Sequence, residues 1–329
     1  MYKVKQIPED FIVNEISATK VNKSGRYTYF KLVKRNYTTE RAIQTIATDF
    51  QIPRKCFGYA GNKDKHAITS QLCSVLGQIK TRTLKDIVID VLGYGNVPIS
   101  LGDLEGNQFK IIVRNTKNSP TPTDFIVNYF DEQRFSKNNV HIGRAIIRKE
   151  FKKAAEAIDN NIVKKHLEEY PNDFIGAIKK LPHKTQTIYI NSYQSYLWNK
   201  VVELYIKRYF KDYFTVKYSL GEFVFLRYKI KNFTIPLVSF DSEFRNPKVR
   251  AIYNTLLKEE NIVLRDFIIR KINWLTPMGS ERPLISEVKN LKISDLLKDE
   301  LNEGMKKAVV EFFLQKGSYA TIVIRKIFY

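Results

Sequence analysis

Hydrophobic periodicity changes twice along this 329-residue chain, and this change constrains the fold more than any other feature of the sequence. Near the N-terminus apolar residues alternate, as in Tyr27–Val33, which predicts strands. In the middle they recur at three- and four-residue spacing, which predicts helices, and strand-like alternation returns at Phe223–Ser239. Polar or proline-bearing segments at Asn115–Thr123 and Pro277–Pro283 mark two breaks. The sequence therefore predicts an α+β fold in two parts.

Individual elements follow from the same patterns. Thr39–Phe50 is predicted as a helix capped by Thr38 or Thr39. Val97–Leu101 and Phe109–Val113 are predicted strands, separated by the turn residues Gly102-Asp103 and Gly106-Asn107. Ala308–Leu314 is also predicted as a strand, and Tyr319–Phe328 as strand or helix. The other predicted helices are Arg144–Asn160, Val163–Glu169, Asp173–Lys180, Ser192–Lys211 and Pro247–Glu260.

The charge balance indicates a polyanionic partner. Lys and Arg number 55 against 34 Asp and Glu, a net charge of +21, and a surplus of this size attracts nucleic acid at long range. A basic surface without such a function is the alternative that charge alone leaves open. Basic residues are interleaved with Tyr and Phe, as in Lys23–Arg35, which favours a folded binding face over a disordered arm.

Residues that bind metals are sparse. Cys56 and Cys73 are too far apart for a CxxC pair, and the four histidines show no HExxH or HxH spacing, so no metal site is predicted. No run of about eighteen apolar residues occurs. Met1–Phe11 also lacks the apolar segment of a signal peptide. A soluble, cytoplasmic protein without a membrane partner is therefore expected.

The most unusual run is Gly58–Gln71, which reads Gly-Tyr-Ala-Gly-Asn-Lys-Asp-Lys-His-Ala-Ile-Thr-Ser-Gln and is predicted to be a loop between apolar segments. Its glycines allow positive φ or a close approach to a ligand, and its lysines favour an ionised Asp64 and attract phosphate. A P-loop does not fit, because the spacing fails and Asp64 stands where Ser or Thr would hold Mg²⁺. Taken alone, the run also fits a surface turn in which Asp64 pairs with a lysine.

This run resembles the signature of the TruD family of tRNA pseudouridine synthases, in which a glycine-bearing loop ends in Lys-Asp and basic, Ala, Thr and Gln positions follow. Further segments resemble family elements in the same order: Pro8–Glu15, Gly25–Thr39, Gly106–Phe109 with Arg114, Asn128–Phe135, Gln194–Asn199 and Gly317–Thr321. The resemblance spans nearly the whole chain and is closest to archaeal members. Asp131 and Ser136 depart from glycines of the family pattern.

The resemblance implies two domains. A pseudouridine synthase catalytic domain with a largely antiparallel mixed sheet would comprise residues 1–136 and 281–329, and a helix-rich α+β TruD insertion domain would comprise residues 137–280. It also implies isomerisation of uridine to pseudouridine in tRNA, at position 13, with no cofactor and no protein partner. A non-catalytic RNA-binding or RNA-chaperone protein that retains the fold is the alternative.

The resemblance assigns Asp64 as the catalytic carboxylate. Whether Asp64 attacks the sugar, attacks the base or removes a proton stays open. Phe109 would form the wall of the pocket for the flipped uridine, although its alternation with Ile111 also permits a core position. Asn107 would hydrogen-bond the uracil edge or hold the loop, with a turn-forming asparagine as its alternative.

Other residues have supporting roles in this prediction. Glu15 would position a lysine or the loop that carries Asp64, or be an exposed residue at a strand end. Lys63 and Lys65 would contact phosphates. The remaining substrate-binding candidates, which fit RNA contact or structural pairing, are Arg114, Gln133 and Arg134.

Overall fold

The computed structural model describes residues 2–136 and 138–329. They form two units: unit 1 extends to Phe125 and includes Glu287–Tyr329, and unit 2 is Ile126–Ser286. The sequence prediction placed the boundaries at residues 136/137 and 280/281. By their contacts, segments 126–136 and 281–286, which the prediction assigned to the first part, belong to unit 2. The assignment of unit 1 as a catalytic domain and unit 2 as an insertion stays a prediction.

The secondary structure mixes strands and helices throughout. The strands of the described residues are β1 (Phe11–Ile16), β2 (Tyr27–Arg35), β3 (Phe57–Tyr59), β4 (Ile68–Leu76), β5 (Arg82–Leu84), β6 (Ile87–Gly95), β7 (Gly106–Thr116), β8 (Phe125–Val127), β9 (Tyr213–Tyr218), β10 (Gly221–Leu226), β11 (Thr234–Leu237), β12 (Ser280–Pro283), β13 (Ile285–Glu287), β14 (Lys289–Ile293), β15 (Leu297–Lys298) and β16 (Lys306–Gln315). The α-helices are α1 (Thr39–Asp49), α2 (Asn139–Ile147), α3 (Phe151–Ala157), α4 (Asn161–Glu169), α5 (Phe174–Lys179), α6 (His183–Tyr209), α7 (Pro247–Glu259) and α8 (Ala320–Ile327). Short 3-10 helices occur at Pro8–Asp10, Arg54–Cys56, Glu132–Arg134, Leu264–Phe267 and Arg270–Leu275.

Unit 1 is built on one large sheet. Among residues 2–136 and 138–329, ten strands join in the order β14-β16-β7-β1-β4-β2-β6-β5, with β15 paired to β16 and β3 paired to β4. The β1–β4 pair is parallel, whereas β1–β7, β7–β16, β2–β4 and β2–β6 are antiparallel. The predicted α+β class with a largely antiparallel mixed sheet is confirmed.

Helix α1 covers part of one sheet face, and its own sequence explains why. Thr38 caps the helix by accepting a hydrogen bond from the Arg41 amide, as the sequence predicted. Ala42, Ile43 and Ile46 fall on one side of the helix and are fully buried. They pack against apolar side chains of β2, β4 and β6, which include Phe30, Leu32, Val75, Ile87 and Ile89. Beside α1 the same face also carries polar residues of β1, β2 and β4.

Unit 2 is organised around α6. This helix packs against α2, α7 and β10, and its Trp198 is fully buried and donates from Nε1 to the Ile235 carbonyl at 3.1 Å. Gly143 of α2 permits close packing of the two helices, since a Cβ there would lie 2.1 Å from the Tyr189 carbonyl oxygen. Within the described parts of the chain, no helix is long and apolar enough to cross a membrane.

Several sequence predictions need correction. The predicted helix Arg144–Asn160 is broken between α2 and α3, where Lys149 adopts a φ of +63° that an α-helix cannot contain. Helix α6 begins at His183, nine residues before the predicted start, and the strand β9 was not predicted. Val97–Leu101 is a loop, and Gly106-Asn107 is not a turn but the start of β7. The C-terminal segment, predicted as strand or helix, is the helix α8.

Candidate active site

The loop from Ala60 to Ala67, here called the 60–67 loop, connects β3 to β4 and carries Asp64. Its backbone is held by side chains of the sheet and of α1. Gln71 Nε2 donates to the Gly61 carbonyl at 3.0 Å, and the Lys63 amide donates to Thr39 Oγ1 at 2.9 Å. Thr39 Oγ1 in turn donates to Gln71 Oε1 at 2.9 Å, and both residues are buried. The loop therefore has a fixed conformation at its start.

A buried ion pair fixes the middle of the loop. The ammonium of Lys63 contacts Glu15 Oε2, and these side chains are only 7% and 0% exposed. Glu15 Oε1 also accepts a hydrogen bond from the Leu72 amide at 3.2 Å. Lys63 was predicted to contact phosphates, but its ammonium instead binds a carboxylate inside the protein. Glu15 is buried, not an exposed strand-end residue.

Asp64 is the exposed end of this buried arrangement. Its side chain is 43% exposed, and its Oδ2 accepts a hydrogen bond from Lys5 Nζ. The Lys5 ammonium also lies 4.1 Å from the centre of the Phe11 ring, a distance typical of a cation–π contact. An exposed Asp64 paired with a lysine is also what the surface-turn alternative expected, and the lysine is Lys5, which is distant in sequence.

A second lysine holds the backbone at Asp64. Lys34 of β2 is 1% exposed, and its Nζ donates to the Asp64 carbonyl at 2.8 Å and to the Tyr37 carbonyl at 2.5 Å. Burial lowers the pKa of Lys34 to about 8, the nearby charge of Asp64 raises it and the charge of Lys63 lowers it. The position of Asp64 therefore depends on a buried ammonium with a perturbed pKa.

The sheet register places further polar groups on the same face. Side chains two residues apart on a strand share a face, and Val13 is paired with Phe109 of β7 and Thr69 of β4 while Glu15 is paired with Asn107. Two atoms on this face, Asn107 Oδ1 and Thr69 Oγ1, are buried without a hydrogen-bond partner among the described residues. Buried polar atoms of this kind are rare and often mark functional sites. This face therefore has unmet hydrogen-bonding capacity.

Phe109 lies among other aromatic residues. It is 7% exposed, its ring centre is 6.1 Å from that of Phe11, and it stacks on Phe312 of β16 at 5.4 Å. The structure therefore shows the core position that the sequence allowed as the alternative. Contact between Phe109 and a flipped base stays a prediction. The ring of Phe11 contacts both Phe109 and the Lys5 ammonium, and so connects Phe109 to the Lys5–Asp64 pair.

The remaining candidates have different environments. For Arg114 the sequence allowed either RNA contact or structural pairing. The structure supports pairing, because the Arg114 side chain is 2% exposed and binds Asp10 and Asp299. Lys65 is exposed. Gln133 and Arg134 belong to unit 2, where Gln133 is exposed and Arg134 Nε lies 3.3 Å from Ser195 Oγ.

The segment that departs from the family pattern is also informative. Ser136 has a φ of +49°, a left-handed conformation that glycine adopts more readily. This backbone conformation therefore explains why the family pattern has a glycine at the position of Ser136. Lys137, which follows Ser136 and ends the loop that carries both departures from the family pattern, lies outside the described residues.

Comparisons with known proteins bear on the family. The family model described as tRNA pseudouridine synthase D (TruD) matches residues 2–165 and 159–327. The chain belongs to the TruD family. A TruD relative from Methanocaldococcus jannaschii, named "Probable tRNA pseudouridine synthase D 2", is 30% identical over 99% of this chain and 91% of its own length. The "tRNA pseudouridine synthase D" of Aquifex aeolicus is 27% identical over 99% of this chain and 98% of its own. A solved TruD structure from Methanosarcina mazei matches with a TM-score of 0.71 and 28% identity, covering 99% of this chain and 93% of that one.

Family membership confirms the resemblance found in the sequence. The TruD signature run, Gly58–Gln71, comprises the last residues of β3, the 60–67 loop and the first residues of β4, so only its middle is the loop that was predicted for the whole run. Sequence reasoning missed Lys5 and Lys34, which contact Asp64 directly. The only local signal for Lys5 was its position just before the Pro-Glu-Asp-Phe segment. Lys34 was one of several basic residues in Lys23–Arg35, the segment for which a folded binding face was predicted.

Proposed function

We propose that this chain isomerises uridine to pseudouridine in tRNA and that Asp64 is the catalytic carboxylate. One observation carries the assignment: Asp64 is a half-exposed carboxylate whose backbone and side chain are both held by lysines, at the end of a buried network. The similarity to proteins named tRNA pseudouridine synthase D supports the reaction and the substrate. The proposed target is the uridine at position 13.

The reaction is an isomerisation. The bond from N1 of uracil to C1′ of the ribose breaks, the base turns, and a bond from C5 to C1′ forms while the proton of C5 is lost and N1 gains one. A carboxylate beside the reacting nucleotide can act as nucleophile or base. The Lys5 contact fixes the orientation of the Asp64 carboxylate, because it holds one of the two oxygens.

The target base has to leave its stack before it can react. On the same face Asn107 is partly exposed, and its buried Oδ1 has no hydrogen-bond partner among the described residues, so a small movement of this side chain would let it bind a ligand. The amide of Asn107 can also turn to offer its NH₂ group, so it can bind either a donor or an acceptor of the uracil edge. We propose Asn107 as the residue that recognises the base and Lys65 as a phosphate contact.

The test is to incubate the purified chain with unmodified tRNA transcripts and to map pseudouridine at single-nucleotide resolution. We expect Asp64→Asn to abolish conversion while the dissociation constant for the transcript changes little. The matched control is Asp90→Asn, an exposed aspartate on the opposite face of the same sheet. Conversion by Asp64→Asn would refute the catalytic assignment. Binding without product by the unaltered chain on every RNA tested would instead favour the RNA-binding alternative.

A further inference from the structure

A surface pocket of unit 2, here called the basic pocket, collects positive charge. It has a volume of about 530 Å³. Its lining has four cationic side chains and a single carboxylate, that of Asp266; the cations are Lys149, Arg265, Arg270 and Lys271. None of these four forms an ion pair within residues 2–136 and 138–329. The basic pocket therefore has an uncompensated positive charge, which an anionic ligand would neutralise.

One short segment of sequence brings most of these cations together. In Arg265–Ile272 basic and apolar residues are interleaved, and the apolar Phe267, Ile269 and Ile272 are fully buried. The Ile269 amide also donates to Thr276 Oγ1 at 2.9 Å. Because the segment is anchored by its apolar side chains, its basic side chains stay in solvent, and these are Arg265, Arg270 and Lys271.

The single carboxylate of the basic pocket is held by the backbone. Asp266 Oδ2 accepts a hydrogen bond from the Val263 amide at 2.8 Å, at the start of the 3-10 helix Leu264–Phe267. Its charge is thus used to bind the chain itself, and it pairs with no cation of the pocket among the described residues. Asp266 therefore leaves room for a ligand that brings its own negative charge.

Lys149 completes the basic pocket from an unusual backbone conformation. Helix α2 ends with hydrogen bonds from the Lys149 amide to the Ile146 carbonyl at 3.0 Å and from the Glu150 amide to the Ala145 carbonyl at 2.9 Å. Glycine is the usual residue at the position of Lys149 in this pattern, because φ is positive there, and Lys149 has a φ of +63°. The lysine side chain gives a reason for its presence, since its Nζ donates to the Asp266 carbonyl and joins the end of α2 to the basic segment.

Part of the lining is apolar. Phe151, at the start of α3, and Ile268 line the basic pocket and are half-buried. The ring of Phe151 contacts no other aromatic ring in the part of the chain that the structure describes. Cations beside an aromatic ring suit a nucleotide, whose phosphate is anionic and whose base has two flat faces. The volume of about 530 Å³ is also within the range of pockets that hold molecules of this size.

We propose that the basic pocket binds one nucleotide of the RNA substrate, with its phosphate on Arg265, Arg270 and Lys271 and its base against Phe151. Asp64 belongs to unit 1, so this contact is additional to the proposed catalytic site. Phosphate contacts fix the position of an RNA and increase its affinity without taking part in the chemistry. The inference rests on the proposed function only for the kind of RNA, which is tRNA.

The first test measures the dissociation constant of the full chain for an unmodified tRNA transcript at several salt concentrations. We expect Arg265→Gln/Arg270→Gln/Lys271→Gln to bind about 10- to 100-fold more weakly at about 0.15 M salt. The slope of log Kd against log salt concentration should become less steep by about two, because each lost phosphate contact removes somewhat less than one. Unchanged affinity and slope would overturn the proposal.

A second triple variant with the same change in charge is the matched control. Lys165→Gln/Lys211→Gln/Arg245→Gln removes three exposed cations of unit 2 that do not line the basic pocket. We expect its affinity to stay within about threefold of the unaltered chain, because scattered exposed charges act only at long range and are screened by salt. Both triple variants change exposed side chains and should unfold at nearly the original temperature. Equal losses of affinity in the two would overturn the proposal, since only total charge would then matter.

The second test concerns the base. Phe151→Leu keeps an apolar side chain and removes the ring, so the affinity for the transcript should fall about fivefold or more, whereas Phe151→Tyr should keep it. Thermal unfolding of both variants checks that each is folded at the temperature of the binding assay. Equal affinities for Phe151→Leu and Phe151→Tyr would overturn the contact with a base.

The third test identifies the source of the nucleotide. Binding of inorganic phosphate and of uridine 5′-monophosphate is measured by calorimetry for the unaltered chain and for the pocket triple variant. Loss of uridine 5′-monophosphate binding with normal tRNA binding would assign the basic pocket to a free nucleotide and overturn the RNA contact. In the conversion assay we expect the loss of kcat/KM to lie in KM, since the pocket binds RNA and does not touch the reacting uridine. Failure of the proposed function would appear differently, as absence of pseudouridine with the unaltered chain.

Discussion

Arg114 gives the sharpest energetic prediction, because it is a buried arginine with three carboxylate partners, the buried Asp10 and Asp299 and the exposed Glu300. Its Nε is 2.7 Å from Asp10 Oδ1, and its Nη1 is 2.9 Å from Asp299 Oδ1. The arginine side chain is 2% exposed and both aspartates are fully buried. These pairs tie the segment before β1 and the segment after β15 to β7. Arg114→Met keeps the length of the side chain and removes the charge.

Removal of one partner from a buried ion pair costs about 3–5 kcal/mol, since the remaining charge is left buried and unpaired. The aspartates keep other bonds, because Asp10 accepts from the Gln6 and Ile7 amides and Asp299 accepts from the Asn115 amide. We therefore expect the lower end, a loss of about 3 kcal/mol in the free energy of unfolding. For a unit of about 150–250 residues this corresponds to a fall in Tm of about 6–12 °C.

The acid dependence should change as well. Burial raises the pKa of Asp299, but hydrogen bonds from the amides of Asn115 and Leu301 and from Asn302 and Arg114 lower it more, to about 2. A carboxyl whose pKa is depressed in the folded state adds stability above its unfolded pKa, and this is lost as pH falls through the folded value. Without Arg114 the folded pKa rises towards the unfolded value, so we expect the stability of Arg114→Met to fall less between pH 5 and pH 3 than that of the unaltered chain, roughly the range between these pKa values.

The assay is thermal and urea unfolding of the full chain from pH 3 to 7, together with tRNA binding at pH 7. The matched control is Arg35→Met, which removes a half-exposed arginine paired with Glu9 and should leave the free energy of unfolding nearly unchanged. If Arg114→Met were as stable as the unaltered chain but bound tRNA ten times more weakly, the structural role would be wrong and the RNA role right.

Three further predictions concern the proposed site. The folded pKa of Lys34, about 8, lies below the ordinary 10.5, so the native state releases this proton first as pH rises. The free energy of unfolding of the unaltered chain should therefore rise relative to that of Lys34→Met as pH increases from about 8 towards 10.5. The conversion rate should fall over the same range, because the ammonium that holds the Asp64 carbonyl is lost. Melting curves and initial rates from pH 7 to 10 check both expectations. Glu15→Gln leaves Lys63 buried without its counter-charge, and we expect a loss of about 3 kcal/mol in urea unfolding together with a lower kcat. Gly58→Ala places a Cβ 2.2 Å from the Ile99 carbonyl oxygen and should lower the free energy of unfolding by about 1–3 kcal/mol. In the control Gly61→Ala the nearest atom to the new Cβ is 3.7 Å away, so this variant should unfold at nearly the original temperature.

Local sequence patterns predicted the helices and strands in which the spacing of apolar residues matches the buried side of the element. Tyr27–Val33 alternates and is part of β2, and Thr39–Phe50 has a cap and one apolar side and forms α1. Val97–Leu101 alternates equally well but is a loop, because Pro98 has no amide hydrogen to donate and the Ile99 amide bonds to a serine side chain. At Gly106-Asn107, pairing with β1 and β16 overrides the turn preference of the two residues.

The candidate site was predictable only in part. Family resemblance identified Asp64, Glu15, Asn107 and Phe109, and the parallel pairing of β1 with β4 explains why the first two belong to one network. No sequence pattern predicted that Lys5 would contact Asp64 over a separation of 59 residues. Contacts at such separations depend on the order of strands in the sheet, which local periodicity does not specify.

The charges around Asp64 explain how one network serves both positioning and attraction of RNA. Lys5 and Lys63 pair with the carboxylates of Asp64 and Glu15, and the ammonium of Lys34 binds the Asp64 carbonyl, so three cations and two anions give the cluster a net charge of +1. Asp64 is therefore an anion in positive surroundings, and an approaching phosphate is not repelled. Because the ammonium groups of Lys34 and Lys63 are bound inside the protein, they position the 60–67 loop without competing for phosphate. We propose that exposed cations such as Lys65 contact phosphates instead. Lys65→Ala should then reduce the salt dependence of tRNA binding, whereas Lys63→Met should lower stability.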